Sequence, residues 1–302
     1  MTNATVQAKS ALKASPARRI SSYLFSRPRL RLSLLLAAPL TWLILIYVFA
    51  LVALLVTAFW TVDSFTSQVQ MTWSLDNIQT VLTNSLYRTV TLRTLGIAVL
   101  VTVVDIVLAF PIAFFMAKIA SEQLRRVLVI AILMPLWASY LVKAYAWRAV
   151  LSHDGLLQWV LAPFGGQTPG YGLTGVILTQ GYLWLPYVIL PIFTGLEKVP
   201  NSLLEASSDL GSRNWSTIRR IVLPLLVPSI VAASIFSFSL TLGDYITVNI
   251  VGGASQMLGN LVYTNVGAAN NLPMAAAVAL IPVFLMFGYL TAVRKTGALE
   301  SL

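Results

Sequence analysis

Several stretches of this chain run for more than 20 residues without a charged side chain, the first of them between Arg31 and Asp63. A helix crosses the hydrocarbon core of a bilayer with about 20 apolar residues, and the bilayer interior admits only backbones that satisfy their hydrogen bonds internally. Hydrophobic residues make up 58% of the chain and charged residues 10%, whereas soluble proteins average about 45–50% and about 25%. We therefore predict an all-α polytopic membrane protein.

Six membrane-spanning helices are predicted. Their approximate bounds are residues 33–60, 91–117, 127–151, 173–196, 225–250 and 273–293. Residues 33–293 then form one transmembrane domain, with a basic tail of residues 1–32 before it and a short tail of residues 294–302 after it. The apolar run that follows the basic tail is too long for a signal peptide.

The lysines and arginines predict which side of the membrane each connection faces. Seven lie in the N-terminal tail, three between spans two and three, four between spans four and five and two after span six, which accounts for 16 of the 20 in the chain. Cytoplasmic connections carry an excess of these residues. Both termini and residues 197–224 are therefore predicted to be cytoplasmic. The net charge of +10 follows this topology and indicates no nucleic-acid partner.

Enzyme chemistry is not indicated by the residues present. The chain has no cysteine and a single histidine, His153, which excludes disulfides, thiol chemistry and a multi-histidine metal site. The Gly-x-x-x-x-Gly-Lys-Ser/Thr phosphate loop, His-Glu-x-x-His and Gly-x-Ser-x-Gly are all absent. We expect no catalytic residue, metal site or cofactor in this chain, so another protein must supply any energy-yielding step.

A short polar segment, residues 197–224, separates spans four and five and is predicted to form two small helices that meet at Gly211. Ser202 and Glu205 fit a capping box at the start of the first helix, and Asn214 can cap the second. Glycine adopts the left-handed turn between two helices at little cost. So small a unit cannot bury its apolar side chains itself, and docking into another protein is expected. These side chains are Leu203, Leu204, Ala206, Leu210, Trp215, Ile218, Ile221 and Val222.

The spacing in this segment resembles the coupling loop of the membrane subunits of bacterial ABC importers. That loop has Glu-Ala, four residues, Gly, nine residues and Ile-x-Leu-Pro. The matching residues here are Glu205, Ala206, Gly211, Ile221, Leu223 and Pro224. One position departs from the usual Glu-Ala-Ala, because Ser207 stands in place of the third residue. We name residues 197–224 the coupling loop.

This resemblance implies a permease subunit of an ABC importer in the bacterial inner membrane. In that family the coupling loop sits in a cleft of an ATPase subunit, present in two copies, which binds ATP and Mg. A second permease, expected to be a different homologous chain, and a periplasmic solute-binding protein complete the importer. Leu210, Trp215 and Ile218 are then expected to be buried against the ATPase.

A second resemblance narrows the family. Residues 135–147, which run from Pro135-Leu136-Trp137 to Tyr145-Ala146-Trp147, look like the third-span signature of spermidine/putrescine-type permeases. The sequences Gly243-Asp244-Tyr245 and Gly252-Gly253 match the same group, so the resemblance covers roughly residues 90–293. Lys143 stands where the group usually has arginine, which keeps the charge but not a bidentate contact.

Residues that could contact a substrate include two acids inside predicted spans. An ionised side chain at mid-bilayer costs about 2.5–3.5 kcal/mol, so it usually faces protein or water. Asp244 and Asp105 could offer a negative site to a cation, or could simply be paired with a hydroxyl or amine of a neighbouring helix. Aromatic faces attract cations, although aromatic side chains in a membrane bundle also serve packing. The aromatic candidates are Trp137, Tyr140, Tyr145, Trp147 and Tyr245.

The sequence therefore favours an ABC permease for polyamines such as putrescine or spermidine, or for related small cationic solutes. An amino-acid-like or other small organic solute stays open within that class. A stand-alone secondary transporter or channel driven by an ion gradient is the first alternative, with Asp105 and Asp244 as a proton relay. It leaves the coupling loop unexplained. A membrane scaffold without a transport role is the second alternative.

Overall fold

The computed structural model describes residue 25, residues 28–63 and residues 65–296. Most of the predicted basic tail and most of the C-terminal tail therefore lie outside the described residues. Among the described residues, five helices are long and apolar enough to cross a membrane. A sixth span is present if two helices joined at a sharp bend are counted together.

Two structural units divide the chain, residues 1–54 and residues 55–302. The described part of the first unit is helical throughout residues 28–54. Its elements are helix α1, Pro28–Trp42, a π-helical turn, Leu43–Val48, and most of helix α2, Phe49–Val56.

The second unit consists of helices joined by short connections. Its α-helices, in chain order, are α3 Asp76–Thr83, α4 Ser85–Phe114, α5 Glu122–Trp137, α6 Tyr140–Leu151, α7 Leu156–Leu161, α8 Leu173–Glu197, α9 Asn201–Asp209, α10 Asn214–Thr217, α11 Leu223–Gly243, α12 Ile246–Val251, α13 Leu258–Val266 and α14 Leu272–Val293. Single π-helical turns extend α4 over Phe115–Ile119 and join α10 to α11 over Ile218–Val222. Shorter 3-10 turns cover Thr57–Phe59, Ala162–Phe164 and Arg294–Thr296.

The core of the second unit lies where α4, α8 and α11 pack together. Small residues on α4, among them Ala109 and Ala113, are fully buried against Ile192 of α8 and Ala233 of α11. Small side chains allow membrane helices to approach closely, which compensates for the weak hydrophobic driving force between helices in lipid. These three helices form the frame that positions the candidate site.

Gly195 marks the tightest approach in this frame. A Cβ atom at Gly195 would lie 2.2 Å from Ser229 Oγ and 2.6 Å from Ser229 Cβ. We predict that Gly195→Ala forces α8 and α11 apart and costs about 1–3 kcal/mol. Gly288→Ala is the matched control, since no atom lies within 4 Å of its Cβ position on α14. Thermal inactivation in detergent, followed by size-exclusion chromatography, should show a lower midpoint for Gly195→Ala alone, and equal midpoints would contradict this packing.

The predicted third span, residues 127–151, is not one helix. It consists of α5 and α6, which meet at an angle of 94°. Pro135 lies in the last turn of α5, which ends at Trp137. The two residues that follow the helix, Ala138 and Ser139, are not helical, with ψ angles of 139° at both. Proline weakens the end of a helix because it removes a backbone donor. Pro135 predicts a kink within this span, and the structure has a complete break there. The bend brings the start of α6 towards the core, where Tyr140 packs.

The predicted fifth span, residues 225–250, was placed too late in the chain. The helix begins at Asn214, runs through Pro224 and Pro228, and ends at Gly243. Asp244 accordingly lies in the break between α11 and α12 and not within a membrane-spanning helix. The second half of the coupling loop is thus continuous with the following span.

The all-α description also needs a small correction. Thr61–Val62 and Val69–Gln70 form a two-stranded antiparallel hairpin in the second unit. Asp63 begins its turn, because its Oδ1 atom accepts hydrogen bonds from the backbone N–H groups of Thr66 and Phe65. These bonds, the one from Thr66 first, lower the pKa of the Asp63 carboxyl group.

Candidate functional site

The coupling loop contains two helices that meet at a glycine, as predicted. Helix α9 ends in a left-handed turn at Gly211, whose φ is +72°. The Gly211 N–H donates to the Ser208 carbonyl at 2.8 Å, and the Ser212 N–H donates to the Ser207 carbonyl at 3.0 Å. Together these two bonds form a Schellman motif, which satisfies the last carbonyls of a helix.

The predicted caps at the starts of the two helices are not formed. Helix α9 begins at Asn201 after Pro200, and neither Ser202 nor Glu205 serves as its cap. Asn214 is the first residue of α10 and does not precede it, because Arg213 takes the capping position without a side-chain hydrogen bond. The start of α9 is instead held by contacts from another part of the chain.

We predict that a β-branched residue cannot replace Gly211. Open space surrounds its Cβ position, so only the backbone conformation limits what can stand there. The left-handed conformation costs an ordinary residue about 1–2 kcal/mol, whereas asparagine adopts it readily. We expect Gly211→Val to lower co-purification of the ATPase subunit that the family resemblance implies, and Gly211→Asn to retain it, at equal membrane levels of the chain. Similar yields from both variants would show that this turn is not needed.

Ser207 joins the two helices of the coupling loop. Its side chain is buried, and its Oγ atom lies 2.8 Å from Oγ1 of Thr217 on α10. Leu204, one turn earlier on α9, packs against the core between the membrane helices. The sequence analysis treated Ser207 as a neutral replacement for alanine and missed this contact. The one available signal was a second hydroxyl, that of Thr217, ten residues later in the same loop.

The other side of the coupling loop is exposed. Leu210 is 88% exposed and Trp215 is 67% exposed. Glu205, Ala206, Gly211 and Pro224 are exposed as well, and the partly buried motif residues are Ile218, Ile221 and Leu223. Large apolar side chains with such exposure are typical of an interaction surface.

Asp244 lies at the centre of a hydrogen-bond network that joins three helices, α6, α8 and α12. Its Oδ1 atom accepts from the Tyr140 hydroxyl at 2.6 Å and from the Thr247 N–H at 3.1 Å, and its Oδ2 atom accepts from Gln180 Nε2 at 2.9 Å. Tyr140 is the first residue of α6, Gln180 belongs to α8 and Thr247 to α12. The network ties both broken helices to the core. The side chain of Asp244 is buried, and among the described residues no Lys or Arg lies within 4.0 Å of its carboxylate.

A pocket of about 310 Å³ opens beside this network. Its aromatic walls are Tyr140, which stacks on Trp184 with ring centroids 5.7 Å apart, and Tyr245, which stacks on Tyr263 at 4.9 Å. The lining residues are Tyr140, Trp184, Ser239, Leu240, Gly243, Asp244, Tyr245 and Ile246. Sequence reasoning selected three of these and missed Trp184, which no motif distinguishes from the other seven tryptophans.

The remaining candidates lie away from this pocket. Trp137 is 87% exposed at the end of α5, Tyr145 is 57% exposed on α6, and Trp147 packs against Tyr182 with centroids 5.5 Å apart. None of these three lines the Asp244 pocket.

Asp105 is fully buried between α4, α8 and α11. The Ser237 hydroxyl donates to its Oδ2 atom at 2.6 Å, while Oδ1 has no hydrogen-bond partner among the described residues. A Cβ atom at Gly181 would lie 3.5 Å from that Oδ1 atom. Asp105 therefore belongs to the packed frame and is separate from the pocket that Asp244 lines.

Three features together are typical of a membrane transport subunit. They are the helices that can cross a membrane, the pocket beside a buried carboxylate, and the exposed helical turn of the coupling loop. The chain belongs to the family described as binding-protein-dependent transport system inner membrane component, which it matches over residues 99–294. It is therefore a multi-pass inner-membrane permease subunit of an ABC importer. It is not an enzyme itself, and ATP is hydrolysed by a separate subunit.

Two relatives agree with this assignment, and a solved structure shares the fold. The chain is 42% identical over 299 residues to the inner membrane ABC transporter permease protein YdcU of Escherichia coli K12, covering 94% of this chain and 95% of the relative. It is 31% identical over 250 residues to the spermidine/putrescine transport system permease protein PotB of the same organism, covering 81% and 90%. Its fold is similar to a chain of a bacterial ABC transporter that imports the acidic polysaccharide alginate, with a TM-score of 0.70, 14% identity and coverage of 92% and 98%.

Proposed function

We propose that this chain forms the transport path of an ATP-driven importer for polyamines such as putrescine and spermidine, or for related small cationic solutes. The observation that carries the substrate class is the Asp244 pocket. Its buried carboxylate has no Lys or Arg within 4.0 Å in the part of the chain that the structure describes, and it stands beside aromatic side chains. A carboxylate and aromatic faces are the groups that stabilise an ammonium ion. The similarity to the spermidine/putrescine permease supports the same class.

The coupling loop would connect this path to its energy source. Two copies of an ATPase subunit would bind ATP and Mg, and one of them would receive the exposed side of the coupling loop on the cytoplasmic side. Closure of the ATPase dimer would push on the loop, and the helices would exchange an inward opening for an outward one. Because α10 continues into α11, this movement would reach Gly243 and the break at Asp244 along one helix.

Two further partners complete the proposed importer. A second permease, a different homologous chain, would provide the other half of the path. A periplasmic solute-binding protein would deliver the substrate, and the family description supports this partner. The first alternative from the sequence, transport driven by an ion gradient, is set aside because the family is that of ABC permeases.

The proposal is tested with the complex reconstituted in proteoliposomes and supplied with the binding protein. Uptake of radiolabelled spermidine and putrescine is expected to require ATP and to survive a proton ionophore. Glutamate and an alginate oligosaccharide serve as anionic comparison solutes. Uptake of an anionic solute without uptake of either amine would overturn the substrate class, and uptake that follows a proton gradient would overturn the energy source.

A further inference from the structure

Lys118 connects the end of span two to the start of the coupling loop. It lies in the π-helical turn that ends α4, and its Nζ atom donates to the Val199 carbonyl at 2.6 Å and to Asn201 Oδ1 at 3.0 Å. Val199 follows the last turn of α8, and Asn201 is the first residue of α9. The ammonium group therefore satisfies a free carbonyl at the end of one helix and holds the first residue of the next.

Arg125 makes a second connection at the same place. Its Nε and Nη2 atoms donate to the carbonyls of Met116 and Ala117 at 3.1 and 3.3 Å, where α4 ends. Its Nη1 atom lies 3.4 Å from Glu197 Oε1, on the last residue of α8. Because Arg125 belongs to α5, this one side chain links the ends of spans two, three and four.

Lys118 and Arg125 line a small polar pocket of about 250 Å³ together with Glu197 and Asn201. Their hydrogen bonds described above connect the ends of three helices. The α9 helix has no side-chain cap of its own, and Lys118 is the side chain that fixes its first residue from another helix.

We propose that Lys118 and Arg125 are positioning residues that transmit movement of the coupling loop to spans two and three. This inference rests on the proposed docking of the coupling loop to the ATPase. The direct continuation of α10 into α11 connects the loop to span five. The contacts of Lys118 and Arg125 connect the first half of the loop to spans two and three, and span three contributes Tyr140 to the pocket.

The first test compares Lys118→Met with Lys198→Met in the reconstituted importer. Lys198 is exposed, lies next to Val199 in the sequence, and makes no side-chain hydrogen bond or ion pair among the described residues, so its replacement removes the same charge without the connection. Lys118→Met removes the two hydrogen bonds of the ammonium group, and we expect it to lower uptake by about tenfold. Lys118→Arg keeps a charged donor and is expected to recover part of the uptake. ATP hydrolysis without substrate should stay within about twofold in both variants, because ATPase docking is unaffected.

The second test restores the connection after folding. The chain has no cysteine, so Lys118→Cys combined with Asn201→Cys gives a single pair for a short bismaleimide. Uptake is expected to be low before cross-linking and to recover after it, which a role in folding alone cannot produce. Arg125→Gln should lower uptake in the same way, whereas Arg126→Gln should not. Within the described residues, Arg126 pairs with the exposed Glu122 alone, four residues earlier on the same helix.

Full uptake by Lys118→Met, or loss of uptake that cross-linking leaves unchanged, would overturn the inference. Failure of the proposed function looks different. In that case the unsubstituted complex would show no ATP-dependent uptake, or the ATPase would not co-purify with it.

Discussion

Replacing Trp215 by alanine is expected to weaken binding of the ATPase by about 30-fold, which corresponds to roughly 2 kcal/mol. Tryptophan side chains at the centre of an interface contribute most of its binding energy because they bury a large apolar area. Trp215 is 67% exposed in the isolated chain, and Leu210, another apolar residue of the coupling loop, is 88% exposed. Its truncation removes no contact of the internal core, so the chain should fold and insert normally. The affinity is measured by titrating purified ATPase onto the permease in nanodiscs.

Trp159→Ala is the control for this experiment. Trp159 is 75% exposed on α7, in the connection between the third and fourth spans, which the sequence predicts to be periplasmic. Its loss should leave ATPase affinity unchanged. Equal affinities for Trp215→Ala and the unsubstituted chain would mean that the coupling loop is not the docking surface.

Asp244→Asn is expected to lower polyamine uptake by roughly tenfold or more while the protein remains folded. Asparagine keeps an oxygen for the Tyr140 hydroxyl and the Thr247 N–H. Its new amide group would face Gln180, whose Oε1 atom has no hydrogen-bond partner among the described residues. Rotation of the Gln180 amide by 180° presents that oxygen as an acceptor. The network then survives, and only the negative charge is lost.

Two comparison variants separate charge from packing at this site. Asp244→Ala leaves the donors of Tyr140, Gln180 and Thr247 without an acceptor, so it should lower thermal stability as well as uptake. Asp105→Asn removes the charge of the other buried carboxylate, which does not line the pocket, and should change the apparent KM for spermidine far less. If Asp244→Asn changed neither the KM nor the uptake rate, the proposal that Asp244 forms a cation site would be contradicted.

Much of the fold follows from features local in sequence. The apolar runs predict where most helices lie, and the bounds of α8 and α14 agree with the predicted fourth and sixth spans within one residue. Gly211 was identified as the turn of the coupling loop because only a left-handed residue can join two helices so closely. Such local signals depend on backbone preference and hydrophobicity, both of which are properties of neighbouring residues.

The breaks in spans three and five had weaker signals. Pro135 indicates a kink, but nothing nearby indicates that Ala138 and Ser139 leave the helix altogether. Gly243 followed by Asp244 fits a helix end and a new start, since Asp244 accepts the Thr247 N–H as an N-terminal cap does. The residues on either side of this break are apolar. The hydropathy therefore stays high across the break and obscures the signal.

Contacts between distant residues account for what the sequence could not predict. Gln180 and Asp244 are 64 positions apart, and Lys118 and Val199 are 81 positions apart. Each of these two contacts depends on how α4, α8 and α11 pack together. That packing depends in turn on small residues such as Gly195. The pocket therefore became visible only once those helices were assembled.

The central claim is that the coupling loop lies on the cytoplasmic face and is covered by the ATPase. Ser208 is exposed at the end of α9, and the chain has no cysteine, so Ser208→Cys provides a unique thiol there. A membrane-impermeant maleimide should label it in inside-out vesicles and not in intact spheroplasts, and bound ATPase should protect it. Labelling in spheroplasts, or labelling that the ATPase does not slow, would contradict the account.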